Sequence, residues 1–111
     1  MRIRSQLKKG SAEVLILSLL EDGPRHGYEL GKLIERHSDG VLHFTVAGLY
    51  PTLYRLEKRG WIKGQWEHAG AGRRRRFYRL TVKGAGVLRA QRSEWRAFIG
   101  ALSRIARIRH A

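Results

Sequence analysis

Four consecutive arginines, Arg73 to Arg76, run directly into the aromatic pair Phe77-Tyr78. A guanidinium keeps its charge at any physiological pH and matches phosphate oxygens with a fork of donors, so such a run suits a polyanion. In an extended segment alternate residues face one side, so not all four can reach one phosphate backbone. The pair nearest the preceding tip, Gly70-Ala71-Gly72, is expected to make the contact. The run would also fit a nuclear localisation patch in a eukaryotic chain, but its setting between a glycine tip and an aromatic strand favours phosphate. A second candidate is His26-Gly27-Tyr28. If a helix opens there, its free amides seat a phosphate and Tyr28 adds a hydroxyl. Tyr28 packed beneath a neighbouring helix is the equal alternative.

Other chemistries find no support. The chain has no cysteine, which removes disulfides, thiolate metal sites and thiol nucleophiles together. His26, His37, His43, His68 and His110 contain no i, i+4 pair and no surrounding set of carboxylates, so no metal site is expected. Neither a GxSxG elbow nor a glycine-rich phosphate loop occurs, and Gly70-Ala71-Gly72 reads as a turn. No catalytic residues, no cofactor and no enzymatic activity are predicted.

The charge distribution agrees with the polyanion reading. Formal net charge is +14 over 111 residues. Residues 1–10 contribute +4, residues 11–71 contribute −1, and residues 72–111 contribute +11 with Glu94 as their single acid. A near-neutral body with basic ends is the pattern of a nucleic-acid binder, an anionic membrane surface being the other physical candidate. The apolar stretch Ala12 to Leu20 is interrupted by Glu13 and Ser18 and is too short to span a bilayer. No cleavage site follows it, so a cytoplasmic location and no membrane partner are expected.

These groups need elements to hold them. Ser11 is expected to cap a first helix over Ala12–Glu21, whose residues are apolar on nearly every side. A second helix is expected from Gly27 to Ser38, with Leu30, Leu33, Ile34 and His37 at helical spacing. Val41 to Phe44 reads as extended. Thr45 then caps a third helix with Leu49, Leu53 and Leu56 facing inward and Gly60 ending it. Pro51 argues that its regular part begins near Ala47 or Gly48, since proline suits only a first turn. Its other face carries Tyr50, Tyr54, Arg55, Lys58 and Arg59, with Tyr50 assigned to the DNA side. Two strands follow, within Trp61–Glu67 and Phe77–Thr81, as a hairpin with a basic arm.

Thr81 caps a last helix, about Val82 to Ile108. Leu88, Gln91, Trp95, Phe98, Leu102 and Ile105 form a heptad-like seam along it, widened by Ile99. Three short helices and a hairpin cannot cover that length, so the seam is expected to meet a second copy through Leu88, Trp95, Phe98, Leu102 and Ile105. Folding back onto its own domain is the alternative. The fold class is therefore mainly α with a small β-hairpin, a winged helix-turn-helix in residues 1–81 and a dimerisation helix in residues 82–111. The third helix would enter a major groove and the hairpin would reach neighbouring phosphates.

The chain is identified as resembling the PadR family of bacterial transcriptional regulators. The residues that carry the likeness are Leu20-Glu21-Asp22-Gly23-Pro24-Arg25-His26-Gly27-Tyr28-Glu29-Leu30 and Gly48-Leu49-Tyr50-Pro51-Thr52-Leu53-Tyr54-Arg55-Leu56-Glu57. Gly60-Trp61-Ile62, Trp66, and Arg74-Arg75-Arg76-Phe77-Tyr78-Arg79-Leu80-Thr81 with Gly84 add to it. The likeness covers roughly residues 10–100 and is similar to the subfamily with a single C-terminal helix. Where that family often has a proline at the edge of helix one, this chain has Ala12-Glu13-Val14.

The resemblance implies a homodimeric repressor, released from a palindromic operator by an effector. The expected double-stranded-DNA contacts are His26 and Tyr28; Thr45, Gly48, Tyr50, Pro51, Thr52 and Arg55; and Arg73, Arg74, Arg75 and Arg76. Arg55 could instead pair with Glu29 or Glu57. Two Trp95 rings across the dimer axis, with Ile99, could sandwich a small planar hydrophobic effector, Arg92 and Arg96 forming a cationic rim; a plain core anchor is the alternative role of Trp95. Rival readings are a nucleoid-type basic protein without sequence preference and a dimeric ligand-binding module without operator specificity.

Overall fold

A computed structural model describes residues 5–68 and 70–109, with side chains from Gly10 onward. Arg2 and Arg4 of the basic N-terminal stretch, and His110 of the tail, lie outside the described residues. The order is α1 (Ser5–Leu19), β1 (Arg25–His26), α2 (Gly27–His37), α3 (Val46–Lys58), β2 (Ile62–His68), β3 (Arg74–Leu80) and α4 (Val82–Ala106). The strands form one antiparallel sheet in the order β1-β3-β2. This is a winged helix with a long C-terminal helix.

Several features differ from expectation: β3 begins at Arg74 rather than Phe77, α4 ends at Ala106 rather than Ile108, and three further cases concern α1, α3 and the sheet. Ser11 is not a cap, because α1 begins at Ser5. Nothing in Gln6–Gly10 breaks a helix, and a single interior glycine costs only about 1 kcal/mol. Pro51 sits in the second turn of α3, which starts at Val46 directly after its cap Thr45. It removes the amide that would bond the Ala47 carbonyl, and both Ala47 and Pro51 lie on the exposed side. The hairpin gains a third strand: Arg25 pairs with Tyr78 and His26 with Phe77. Two residues carry no readable period, so β1 exists only through its partner.

The core is one cluster drawn from every layer. Ile16, Leu17 and Leu20 of the first helix and its turn meet Leu30 and Ile34 of α2 and Leu49, Leu53 and Leu56 of α3. Ile62, Tyr78 and Leu88 close it from the sheet and α4. Each such side chain contributes about 1.5–3 kcal/mol by leaving water. Between α2 and α3 the chain is irregular rather than extended. Asp39 and Gly40 adopt positive φ, of 51° and 78°, and the Leu42 amide donates to Ser38 Oγ at 3.0 Å.

The start of α4 is pinned hard against the sheet. Thr81 Oγ1 accepts from the Gly84 amide at 3.0 Å and lies 2.6 Å from the Gly60 carbonyl, to which it donates. A Cβ at Gly84 would fall 2.0 Å from the Trp61 carbonyl oxygen, so only glycine allows this approach. Further along, Gln91 Nε2 donates to Glu13 at 3.0 Å, and Arg92 donates to Ser18 and to Glu21 at 2.8 and 2.7 Å. Leu88, assigned from sequence to the inter-chain seam, is 1% exposed and belongs to the protomer's own core. The reason is that the first turns of α4 lie on α1. Beyond Arg92 the helix leaves the body, and Phe98, Ile99, Leu102 and Ile105 are exposed. Among the described residues no helix is long and apolar enough to cross a membrane.

Candidate nucleic-acid interface

The outer face of α3 follows from its inner one. With Leu49, Thr52, Leu53 and Leu56 buried, helical geometry turns Ala47, Gly48, Pro51, Tyr54, Arg55 and Lys58 to the solvent. Thr45 opens the helix, its Oγ1 accepting from the Gly48 amide at 3.0 Å. Tyr54 is 67% exposed, with the Lys58 ammonium 5.9 Å from its ring centroid. Thr52 requires a correction: at 7% exposure it lies on the buried stripe, not on the groove face. Its position next to Leu53 puts it on the inward arc, a fact its polarity concealed.

Arg55 stays half-exposed and has an acid near it, but not the expected one. Its Nη2 is 3.7 Å from Glu13 Oε2 on α1, and Arg59 Nη1 approaches the same oxygen at 3.4 Å. Glu13 stands on another helix, 46 residues before Arg59.

Register organises the wing. Gly64 faces Tyr78, Trp66 faces Arg76 and His68 faces Arg74 across β2 and β3. Trp66, Arg74 and Arg76 therefore share a face, and the guanidinium carbons of Arg74 and Arg76 lie 5.6 and 5.7 Å from the Trp66 ring centroid. Such contacts at exposed sites are worth about 0.5–1 kcal/mol and orient the cations without neutralising them. Arg75 and Phe77 point to the other face, beside His26: Arg75 Nη1 is 3.2 Å from His26 Nε2, and the Phe77 ring meets the His26 ring edge-on at 5.2 Å. Arg73 is exposed at the turn.

His26 plays a part that its motif did not reveal. It is the N-cap of α2, its Nδ1 accepting from the Glu29 amide at 3.2 Å. One of the helix amides expected to seat a phosphate is thus already satisfied by the protein. Burial, then the positive charge of Arg75, hold the imidazole below its ordinary range, with Glu29 opposing them. Tyr28 is not packed beneath a helix. It is 51% exposed, with Lys32 at 5.2 Å and Arg75 at 5.7 Å from its ring centroid.

Between α2, α3 and the wing these groups border a cleft of about 330 Å³. Its walls include His26, Tyr28, Tyr50, Trp66, Arg74, Arg75 and Arg76. The structure thus brings the α2 start, Tyr50 and the wing arginines to one surface, and adds Trp66, which the sequence reading left out of the site. An aromatic in a strand flanked by arginines across the sheet was the available signal, visible once the register is known.

At the far end of the molecule Trp95 and Phe98 meet edge-on at 5.8 Å, and with Glu94 they line an open cavity of about 360 Å³. The expected cationic rim is altered. Arg92 is turned to Glu21, and the charged side chain at the cavity wall is Glu94.

Comparison with known proteins agrees with this architecture. The profile of the transcriptional regulator PadR-like family matches residues 16–90. An uncharacterised protein of Lysinibacillus sphaericus is 30% identical over 93 residues, covering 84% of this chain and 85% of its own. A transcriptional regulator from Clostridium thermocellum superposes with a TM-score of 0.82 at 31% identity, over 92% of this chain and 96% of the other. The PadR of Bacillus subtilis, solved in complex with operator DNA, shares the fold at a TM-score of 0.65 and 24% identity, over 71% of this chain and 44% of the other.

Proposed function

The chain belongs to the PadR-like family of transcriptional regulators, and from that premise we propose that it reads a two-fold-symmetric operator as a homodimer and releases it to a planar effector. The observation that carries the DNA reading is the cleft in which Tyr50 of α3 and His26 and Tyr28 of the α2 start meet Arg74 and Arg75 of the wing. In this reading α3 enters the major groove with Gly48, Tyr50, Pro51 and Arg55, while Thr45 fixes its first turn. Arg73 and Arg74 are the phosphate contacts of the wing, since both are exposed and neither is engaged by an acid among the described residues. The +14 charge supplies the long-range attraction.

Helix α4 (Val82–Ala106) is the dimerisation helix, with Phe98, Leu102 and Ile105 as the seam and Trp95 and Ile99 facing the effector. Support for a second copy comes from the exposed apolar side chains on one turn after another of α4 beyond Arg92. A ligand that spreads two such helices changes the distance between the two α3 copies, which must match half-sites about 34 Å apart. It must favour the separation that does not fit DNA, or it shifts nothing. As a repressor the protein would then leave its operator when the effector binds.

Competition of a palindromic promoter fragment against bulk genomic DNA is the deciding experiment. The operator reading expects preference of about a thousandfold or more for the specific fragment. Equal competition would favour a nucleoid-type protein, and no DNA binding at low salt would leave a ligand-binding module. Arg55→Ala should change which fragment is preferred, whereas Arg73→Ala with Arg74→Ala should weaken all sequences by similar factors.

A further inference from the structure

We propose that Arg76 and Glu57 form a latch that sets the wing against α3, so that Arg76 is a positioning residue and not a phosphate contact. This rests on the DNA-binding reading above and assigns a part of it that the arginine run conceals. Arg76 Nη2 donates to Glu57 Oε2 in a short, charge-assisted bond between β3 and α3. The same oxygen accepts the Gly64 amide of β2 at 3.2 Å. One carboxylate on α3 therefore holds both strands of the wing.

Three further features bear on this pair. β2 is an edge of the sheet, so the Gly64 amide bonds Glu57 in place of a further strand. A Cβ at position 64 would lie 2.5 Å from Arg76 Nε, so the glycine leaves the corridor through which the guanidinium crosses β2 to α3. The rings of Trp66 and Tyr78 lie 5.7 and 5.9 Å from the same guanidinium, guiding it along the sheet face. Among the described residues the neighbouring arginines have no such acid: Arg75 meets the His26 ring and Arg74 the Trp66 ring. A wing whose angle to α3 is fixed lets phosphate and groove contacts form together, without ordering the arm at the moment of binding.

The decisive variant is Glu57→Ala, because the two roles of Arg76 predict opposite signs. If Arg76 touched phosphate, removing its acid partner would free a cation and tighten DNA binding. The latch predicts roughly tenfold weaker binding despite the lost negative charge, with Glu57→Gln between wild type and Ala. Alanine is the strongest helix former, so α3 is preserved. Arg76→Ala should weaken binding similarly while leaving the slope of log K against log salt unchanged. One lost phosphate contact per protomer would flatten a dimer's slope by about 2. A Glu57→Arg, Arg76→Glu exchange should recover only part of the affinity lost by Arg76→Glu alone, because a guanidinium restores the ion pair but cannot accept the Gly64 amide.

A readout without DNA separates this proposal from the reading beneath it. Amide exchange at Gly64 in the free protein should accelerate about tenfold or more in Glu57→Ala. Failure of the wild type to bind any duplex would remove the DNA reading and leave the latch judged by Gly64. Unchanged Gly64 exchange, tighter binding by Glu57→Ala, or a flattened slope in Arg76→Ala would each overturn the latch.

Discussion

Leu88 and Leu102 occupy the same seam of α4, yet one is 1% exposed and the other 44%. Up to Arg92 the helix is fastened to α1 and the turn after it by a buried leucine, by Gln91 on Glu13 and by Arg92 on Ser18 and Glu21. After Arg92 the large apolar side chains Phe98, Ile99, Leu102 and Ile105 are exposed among the described residues. One heptad-like pattern therefore serves two purposes, intramolecular docking first and an open apolar face second. Periodicity reports that a stripe will be covered and is silent on whether the cover comes from the same chain.

The sharpest way to break this comparison is a matched pair of truncations. Leu88→Ala should cost about 2–5 kcal/mol by opening a core cavity. In thermal melts its lowered Tm should fall by the same amount at every protein concentration. Phe98→Ala with Leu102→Ser should lower Tm only through association, an effect that grows on concentrating the wild type and is lost in the variant. Sedimentation should register about a hundredfold weaker self-association, on the scale of a few kcal/mol for paired apolar anchors. A Leu88→Ala defect that depends on concentration would return Leu88 to the seam.

A smaller effect separates the body from the overhang by pH. His26 titrates below its ordinary 6.5 in the folded chain because burial and Arg75 disfavour its charged form. The unfolded chain then binds the proton more readily, so stability is complete above 6.5 and is lost as pH falls from there through the folded value. His26→Asn keeps a capping side chain without a titrating ring, and its melting curve should be flatter with pH. Self-association through Phe98 and Leu102 should not follow this dependence. The smallest change concerns the junction. Hydrogen bonding from Arg92 holds the Glu21 carboxyl below its ordinary 4.5, so its support for α4 is present above that pH and lost below it. Arg92→Gln should remove that acid-side loss from the melting curves.

What was legible in the sequence was everything carried by local pattern. The inward stripe of α3, the Thr45 and Thr81 caps, the hairpin with its glycine tip and the length of α4 all come from near-neighbour spacing and backbone sterics. So did the family, through motifs each confined to a dozen residues or fewer. The tertiary structure alone decided which polar groups remain available. Arg73 to Arg76 are identical in chemistry, but register turns Arg76 to Glu57 and Arg75 to His26 and leaves Arg73 and Arg74 exposed. Arg55 finds Glu13, Thr52 turns inward, and β1 exists only because β3 lies beside it. Each of these outcomes depends on groups distant in sequence and close in space. Hydrogen bonds and ion pairs act over a few ångströms, and only the folded chain determines which groups come that near.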